Sequence, residues 1–189
     1  MRKYRYFGGL LQAQQNWLNR MAKRGFRLSS AGKLCYEFEA CPPGSVQYQV
    51  EWVGTKSQHS ARDYAAFLED MGYKVFFKNI NLNYSVGKVR FRPWAEPGGR
   101  IATNATTFNR ELLIVEKQAD GKPFELHTDP EDKIEYYKSL RAPWFTNALL
   151  FLLLGVLTKN TILALCTLLF LAPVLVYQLQ IWKIKRETA

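Results

Sequence analysis

The chain has 189 residues, and its 26 Lys and Arg residues against 16 Asp and Glu residues give a formal net charge of +10 at pH 7. Its three cysteines include no Cys-x-x-Cys pair and its two histidines lie far apart, which excludes a disulfide framework and any recognisable metal-ligand spacing. We therefore predict free thiols, no metal and no cofactor, and we attribute the positive charge to attraction by an anionic membrane surface.

Residues 1–93 predict a small cytoplasmic domain built from two similar halves. Residues 3–7 alternate as in a strand, and apolar residues between 11 and 22 recur at helical spacing before Gly25, a residue suited to a helix C-terminus. In the second half, Ser60 and Asp63 have the spacing of a capping box. They open a predicted helix that Gly72 ends, and a strand follows at residues 73–77.

Between the two predicted helices the sequence predicts a β-hairpin. Residues 35–41 and 46–52 alternate between apolar and polar side chains, and the turn Pro42-Pro43-Gly44-Ser45 separates them. The resulting order, βαββαβ, predicts an α+β ferredoxin-like sandwich with an extra strand after residue 79.

Residues 94–142 form a predicted helical connector. Residues 107–119 are predicted as a helix, although residues 112–115 are also compatible with a strand. A second helix is predicted to begin around Pro130, where a capping residue precedes the proline and acidic residues follow it.

Residues 143–182 predict a transmembrane helical hairpin. No charged residue lies between Arg141 and Lys159, and none between Lys159 and Lys183. About 20 residues of helix are needed to cross a hydrocarbon layer, and only helix satisfies backbone polar groups in such segments. The alternative is a buried hairpin in a soluble core, but the rest of the chain is too small to cover two such helices.

Charges at the ends of this hairpin predict its orientation. Positive residues flank the hairpin on both sides, whereas the turn contains only Lys159, and positively charged flanks remain in the cytoplasm. We predict a multi-pass protein of the inner (plasma) membrane with both termini, including the tail 183–189, in the cytoplasm. The predicted interface residues are Arg141, Trp144, Trp182, Lys183, Lys185 and Arg186.

The uneven distribution of charge in the first domain predicts a docking surface. Residues 1–36 contain eight Lys or Arg residues and no acid, and residues 72–95 contain five more without an acid. In a ferredoxin-like sheet the basic strands are neighbours and the hairpin supplies the acidic half, which favours a charged protein partner. The predicted docking residues are Arg5, Lys74, Lys78, Glu37, Glu39 and Glu51. A solvated sheet face with weak ion pairs explains the same pattern.

Other functions are less well supported by the sequence. An enzyme at the membrane surface would use Glu37, Glu39 and Glu51 as an acid–base cluster, but no phosphate-binding loop or nucleophile motif is present. Direct nucleic-acid binding is not expected, because the strand aromatics are predicted to be core. Gly155, Ala164 and Ala172 are small residues that would permit homo-oligomer formation.

The segment that begins at Asn16 carries a resemblance to a known family. Its core is a Trp-Leu-x-x-Met-Ala-x-x-Gly-aromatic pattern, and Tyr36, Phe38 and Tyr48 fit the same pattern farther along. In this respect residues 3–93 resemble a bacterial membrane-protein family that is known only as a domain of unknown function and is often associated with PadR-type transcription regulators. The resemblance implies a membrane-bound partner of a regulator and no catalytic residues.

These observations lead to one leading hypothesis. The chain is expected to be a membrane-anchored cytoplasmic binding or regulatory module rather than an enzyme. It would sense a membrane or ligand state, and it would dock or sequester a cytoplasmic protein such as a PadR-type regulator.

Overall fold

The computed structural model describes residues 1–54, 56–80, 84–86, 89–91, 101–102, 111–122, 124, 126 and 130–188. The chain divides into two compact units. The first, which we call the α/β unit, comprises Met1–Arg90 and Ala102–His127, and the second, the helical unit, comprises Phe91–Ile101 and Thr128–Ala189.

The α/β unit is built from short strands and two helices of 13 residues each. In chain order the elements before residue 80 are β1 Arg2–Tyr4, α1 Leu11–Lys23, β2 Phe26–Ala31, β3 Cys35–Ala40, β4 Val46–Trp52, α2 Gln58–Asp70 and β5 Lys74–Lys78. The remaining strands are β6 Tyr84–Val86, β7 Val89–Phe91, β8 Ile101–Ala102 and β9 Leu112–Gln118.

The described strands form three sheets of three strands, with the orders β1-β3-β2, β4-β9-β5 and β6-β7-β8. In the second sheet β9 is the central strand and runs antiparallel to both neighbours, so that Glu116 lies opposite Tyr48 on one side and Lys74 on the other. The helix predicted over 107–119 is therefore wrong for its described part. Leu112, Leu113, Ile114 and Val115 are all buried, as expected for a central strand covered on both faces.

The predicted pairing of residues 35–41 with 46–52 is also wrong. The first segment, β3, pairs with β1 and β2, whereas β4 pairs with β9 in another sheet. The intervening turn is tied to the end of α1, because the amides of Cys41 and Gly44 donate to the carbonyls of Gly25 and Ala22 at 3.0 and 2.9 Å. Gly25 permits this approach at φ +82°, since an added Cβ would lie 3.0 Å from the Cys41 carbonyl oxygen. The fold is mixed α and β, and its ferredoxin-like order is not confirmed.

Two apolar layers hold the α/β unit together. A cluster formed by α2, β9 and the residue after β4 comprises Val53, Ala61, Ala65, Leu68, Leu113 and Val115. On α1, the Trp17 ring lies 4.9 Å from that of Tyr36 and 5.5 Å from that of Phe38. Helix α2 begins one turn before the predicted capping box, because the Ser57 hydroxyl accepts from the Ser60 amide at 3.1 Å.

The helical unit contains two long helices, α3 Pro130–Leu157 and α4 Thr161–Glu187. The helix predicted near Pro130 and the first apolar run are one continuous helix that contains Pro143. Lys159, at φ +52°, lies in the turn, and Asn160 caps α4. With mean hydropathies of 1.6 and 2.3 over their most apolar stretches, both helices are long and apolar enough to cross a membrane.

Candidate functional site

Lys78 is the predicted docking residue whose position differs most from the expectation. Its side chain is only 1% exposed, and its Nζ donates to the backbone carbonyls of Lys33 and Asn79, at 3.0 Å for the latter. The ammonium also lies 5.3 Å from the centre of the Tyr36 ring. Burial lowers the pKa of Lys78 to about 8. Lys78 is thus an interior cation satisfied by carbonyl oxygens and does not contribute to an exposed face.

The three predicted carboxylates do not share a face. Glu51, on β4, is buried and accepts a hydrogen bond from the Tyr64 hydroxyl at 2.8 Å. Glu37 and Glu39 lie on β3 in a different sheet, where Glu37 forms an exposed ion pair with Arg2 at 2.7 Å and Glu39 is exposed. An acid–base cluster of these three groups is therefore not assembled.

Arg5 and Lys74 are the predicted basic docking residues that remain at the surface. The Arg5 guanidinium carbon lies 5.3 Å from the centre of the Phe7 ring and 5.5 Å from that of Trp17. The Lys74 ammonium lies 5.1 Å from the Phe76 ring. Arg5 follows β1 and Lys74 begins β5, and these two strands are not neighbours as predicted, because β1 pairs with β3 and β5 pairs with β9. Each is an exposed cation beside an aromatic ring.

A buried network around Glu116 joins the two main sheets, and the sequence did not predict it. Glu116, 3% exposed, accepts from Arg27 and from the Tyr48 hydroxyl at 2.7 and 2.6 Å, and the Leu28 amide donates to that hydroxyl at 2.7 Å. Burial and the hydrogen bond to Glu116 raise the pKa of Tyr48, and the same carboxylate raises the pKa of Arg27. The network is a structural link between β2, β4 and β9, with no group exposed for chemistry except part of Arg27.

The α/β unit also contains a polar pocket of about 310 Å³ beside α1 and β4. The Asn19 side chain covers the free edge of β4, donating to the Tyr48 carbonyl at 2.9 Å and accepting from its amide at 2.8 Å. The Gln47 side-chain oxygen is buried and has no hydrogen-bond partner. The pocket is lined mostly by polar side chains and is large enough for a small polar molecule. Its lining residues are Gln15, Asn19, Lys23, Gly44, Val46, Gln47, Tyr48 and Phe124.

Metal chemistry has no support within the part of the chain that the structure describes. Among those residues no group of three or more His, Cys, Asp or Glu side chains could hold a metal ion. The three cysteines are free thiols. His127 lies outside the described residues, as do residues 94–100 and 103–110 of the predicted connector.

The predicted interface residues other than Trp144 lie at one end of the helical unit. Arg141 Nη1 donates to the Gln178 side-chain oxygen, and the Tyr137 and Tyr177 rings are 6.3 Å apart, which sets the antiparallel register of α3 and α4. Trp182, Lys183, Lys185 and Arg186 follow Gln178 on α4 and are exposed. Farther along, the Trp144 ring lies 6.3 Å from that of Phe170.

Two of the three small residues predicted for oligomer formation lie between the two helices. A Cβ added at Gly155 would lie 2.6 Å from the Ala164 backbone nitrogen, so these two of the three predicted oligomer residues pack against each other within the hairpin. Ala172 is exposed. Exposed large apolar side chains occupy the outer faces instead, among them Phe145, Leu150, Leu153, Leu157, Ile162, Leu165, Leu169 and Leu175.

Comparison with known proteins gives one match. A family model described as a protein of unknown function, DUF2812, matches residues 11–149, from the start of α1 into the apolar half of α3. No curated protein and no solved structure matches the chain.

Proposed function

Because the chain belongs to the family of proteins of unknown function DUF2812, we propose its function from the chemistry of its own residues: it is a membrane-anchored module that acts by binding. The helical unit holds the chain in the membrane, and the α/β unit binds a cytoplasmic partner. The observation that carries the proposal is the band of large apolar side chains on the outside of α3 and α4.

This band supports insertion in lipid rather than burial in a soluble core. A soluble protein rarely exposes a contiguous apolar surface of this size to water. Polar side chains in the band bond to their own helix, as Asn147 does to the Pro143 carbonyl at 2.8 Å and Thr158 to that of Leu154 at 2.6 Å. Such bonds satisfy polar groups where water is absent.

The orientation follows from the charges at the helix ends. Lys138, Arg141, Lys183, Lys185 and Arg186 flank the apolar runs at one end, against Lys159 alone at the other. By the positive-inside rule, both termini and the α/β unit would lie on the cytoplasmic side of a bacterial inner membrane. The protein is multi-pass in this proposal, with two spans.

We propose a DNA-binding transcription regulator of the PadR type as the cytoplasmic partner. The sequence resemblance to a family associated with such regulators motivates this choice. Arg5 and Lys74, both exposed cations beside aromatic rings, are the contacts proposed on the α/β unit. Binding is favoured over catalysis because Glu51 is engaged with Tyr64 and lies in a different sheet from Glu37 and Glu39.

The polar pocket gives this module a place to receive a small-molecule signal. Lys23 on α1 supplies a positive charge at the lining, and Gln15 and Gln47 supply amide side chains. A small anionic molecule with polar groups would pair with Lys23 and hydrogen-bond to these amides. We include this ligand state in the proposal as the signal that changes partner affinity.

Affinity capture of the full chain from gently solubilised bacterial membranes tests the partner. A PadR-type regulator identified by mass spectrometry should copurify with the wild type and be lost from the Arg5→Glu/Lys74→Glu variant. The matched control is Arg62→Glu, which reverses an exposed cation on α2 and should retain the regulator. Equal capture by all three proteins would reject the docking residues, and absence of any regulator would reject the partner.

A further inference from the structure

On α3 and α4, the sign of the charged residues changes with their distance from the apolar runs. On α3, moving away from the apolar run toward the N-terminus, the first two charged residues are Arg141 and Lys138, and the first acid is Glu135. On α4, Lys183, Lys185 and Arg186 precede Glu187. On both helices the charges nearest the apolar run are therefore all positive, and the acids lie farther out.

Helix geometry relates these charges to the depth of a bilayer. Arg141 precedes Lys159 by 18 residues, a rise of about 27 Å, and Lys183 follows it by 24 residues, a rise of about 36 Å. The hydrocarbon core is about 30 Å thick. With Lys159 at the far surface, Arg141 lies at the inner edge of the hydrocarbon, and Lys183 reaches the depth of the phosphate groups.

Arg141 is held in place at this depth. Its Nη1 donates to Gln178, one turn before Trp182 on α4. A guanidinium has five N–H donors in a planar fork that matches a phosphate, and the hydrogen bond to Gln178 uses Nη1. Trp182, Lys185 and Arg186 lie three and four residues apart on one helical face, all exposed. An interfacial indole beside two cations is suited to the glycerol and phosphate region of a lipid.

We propose that this cationic rim, defined as Lys138, Arg141, Lys183, Lys185 and Arg186, binds the phosphodiester headgroup of an anionic phospholipid in the cytoplasmic leaflet. The inference rests on the proposed membrane insertion and goes beyond anchoring, because it names a lipid class that the hairpin selects. Lipid is favoured over a soluble anion because Glu131 and Glu187, each 28 residues from Lys159, lie farther from the apolar runs than any cation of the rim. A soluble anion approaching from water meets these acids first, whereas a headgroup reaches the rim from the bilayer.

The test uses the full chain reconstituted in vesicles of phosphatidylcholine with a minor fraction of phosphatidylglycerol. Native mass spectrometry of the released protein measures the ratio of the two lipids that remain bound. Wild-type protein should retain phosphatidylglycerol in several-fold excess over its bulk fraction. Removal of one cation should reduce this enrichment by at most about fivefold, the effect of one basic residue near an anionic surface, and the triple variant should bring the two lipids back to their bulk ratio. The test variants are Arg141→Gln and the triple variant Lys183→Gln/Lys185→Gln/Arg186→Gln.

Lys159→Gln is the matched control, because it removes a cation at the opposite end of the hairpin. It should leave the enrichment unchanged. Bulk lipid ratios on the wild type, or an equal loss in the control, would overturn the proposal. If Arg141→Gln does not reconstitute, the triple variant decides, since its three residues are exposed in the last turns of α4. Loss of the bound lipid on addition of inorganic phosphate would show a soluble-anion site and would also overturn it.

Alkaline carbonate extraction of the same vesicles separates this proposal from the one it rests on. Wild-type protein that carbonate releases from the vesicles would refute membrane insertion itself. Protein that resists carbonate and yet retains lipids in their bulk ratio would refute lipid selection alone.

Discussion

The α/β unit and the helical unit distribute apolar side chains in opposite ways. At the centre of the α/β unit Leu113, Ile114 and Val115 have no exposed surface, whereas Leu157 and Leu169 of the helical unit are 78% and 74% exposed. Small residues such as Ala148 and Gly155 are buried between the helices. Large apolar residues outside and small ones between the helices are the arrangement expected of helices that pack against each other in lipid.

The hydrogen-bond partners of polar side chains also differ between the two units. In the α/β unit, buried polar side chains bond to distant parts of the chain, as Glu116 does to Arg27 and Tyr48. In α3, the Thr146 hydroxyl donates to the carbonyl of Ala142 four residues earlier, at 3.0 Å. Local bonds of this kind are available to a single helix, whereas the network around Glu116 requires a folded core.

A leucine-to-alanine substitution in each unit should give the largest difference in the loss of stability. Leu113→Ala should destabilise the α/β unit by about 4 kcal/mol, because it leaves a cavity in a fully buried strand. Leu169→Ala should cost below about 0.5 kcal/mol, because the side chain is exposed on the outer face of α4. Hydrogen exchange of the reconstituted full chain measures both, through the protection of peptides from β9 and α4. Equal losses of protection would abolish the contrast.

A charge placed on the outer face of the hairpin should show whether that face contacts lipid or water. Leu169→Asp should reduce membrane insertion by about 3 kcal/mol, the cost of an acid near the middle of a spanning helix. Leu34→Asp, at an exposed position of the α/β unit, is the matched control and should have almost no effect. The carbonate-resistant fraction measures insertion. Full resistance of the Leu169→Asp variant would mean that this face does not contact hydrocarbon.

Removal of Glu116 should show that the α/β unit depends on its buried network. Glu116→Leu leaves the Arg27 guanidinium and the Tyr48 hydroxyl without their partner, which should cost about 2–3 kcal/mol because Arg27 is partly exposed to water. Hydrogen exchange should increase across β2, β4 and β9, and α4 should be unaffected. Glu37→Leu, which removes an exposed ion pair, should change the same peptides little.

The buried Lys78 should make the stability of the α/β unit depend on pH. Its pKa is about 8 in the folded protein against 10.5 in the unfolded chain, so the unfolded chain binds more protons between these values. Stability should therefore rise by about 1–2 kcal/mol from pH 8 to pH 10. Tyr36, Tyr48 and Tyr64 oppose part of this rise near pH 10, because burial raises their pKa values in the folded protein whereas the unfolded chain releases these protons around 10.0. In a Lys78→Met variant the rise in stability should disappear. An unchanged dependence of stability on pH in this variant would mean that another group causes the rise.

The sequence predicted the local elements of both units better than their pairing. Helix α1 and the long apolar helices follow from periodicity and from the length of the uncharged runs, which are properties of neighbouring residues. Residues 112–115 are apolar on both faces of a central strand, so their pattern contains no alternation that would distinguish strand from helix.

The candidate sites were harder to predict because they depend on long-range contacts. Tyr48 and Glu116 are 68 residues apart, and their pairing requires the register of β4 with β9. The charge distribution in a ferredoxin-like sheet predicts Lys78 on an exposed face, whereas its burial depends on the Lys33 carbonyl, 45 residues earlier in the chain. Neither contact leaves a signal in the local sequence.

The central claim is that the hairpin spans the membrane with both ends in the cytoplasm. The most direct test replaces Cys35, Cys41 and Cys166 by Ser and then introduces single cysteines by Lys3→Cys, Lys159→Cys or Thr188→Cys. A membrane-impermeant maleimide is applied to spheroplasts and to opened membranes. The account predicts that the Lys159→Cys variant reacts in intact spheroplasts, and that the other two react only after the membrane is opened. Labelling of all three variants at equal rates in intact spheroplasts, or only of the variants at the termini, would contradict it.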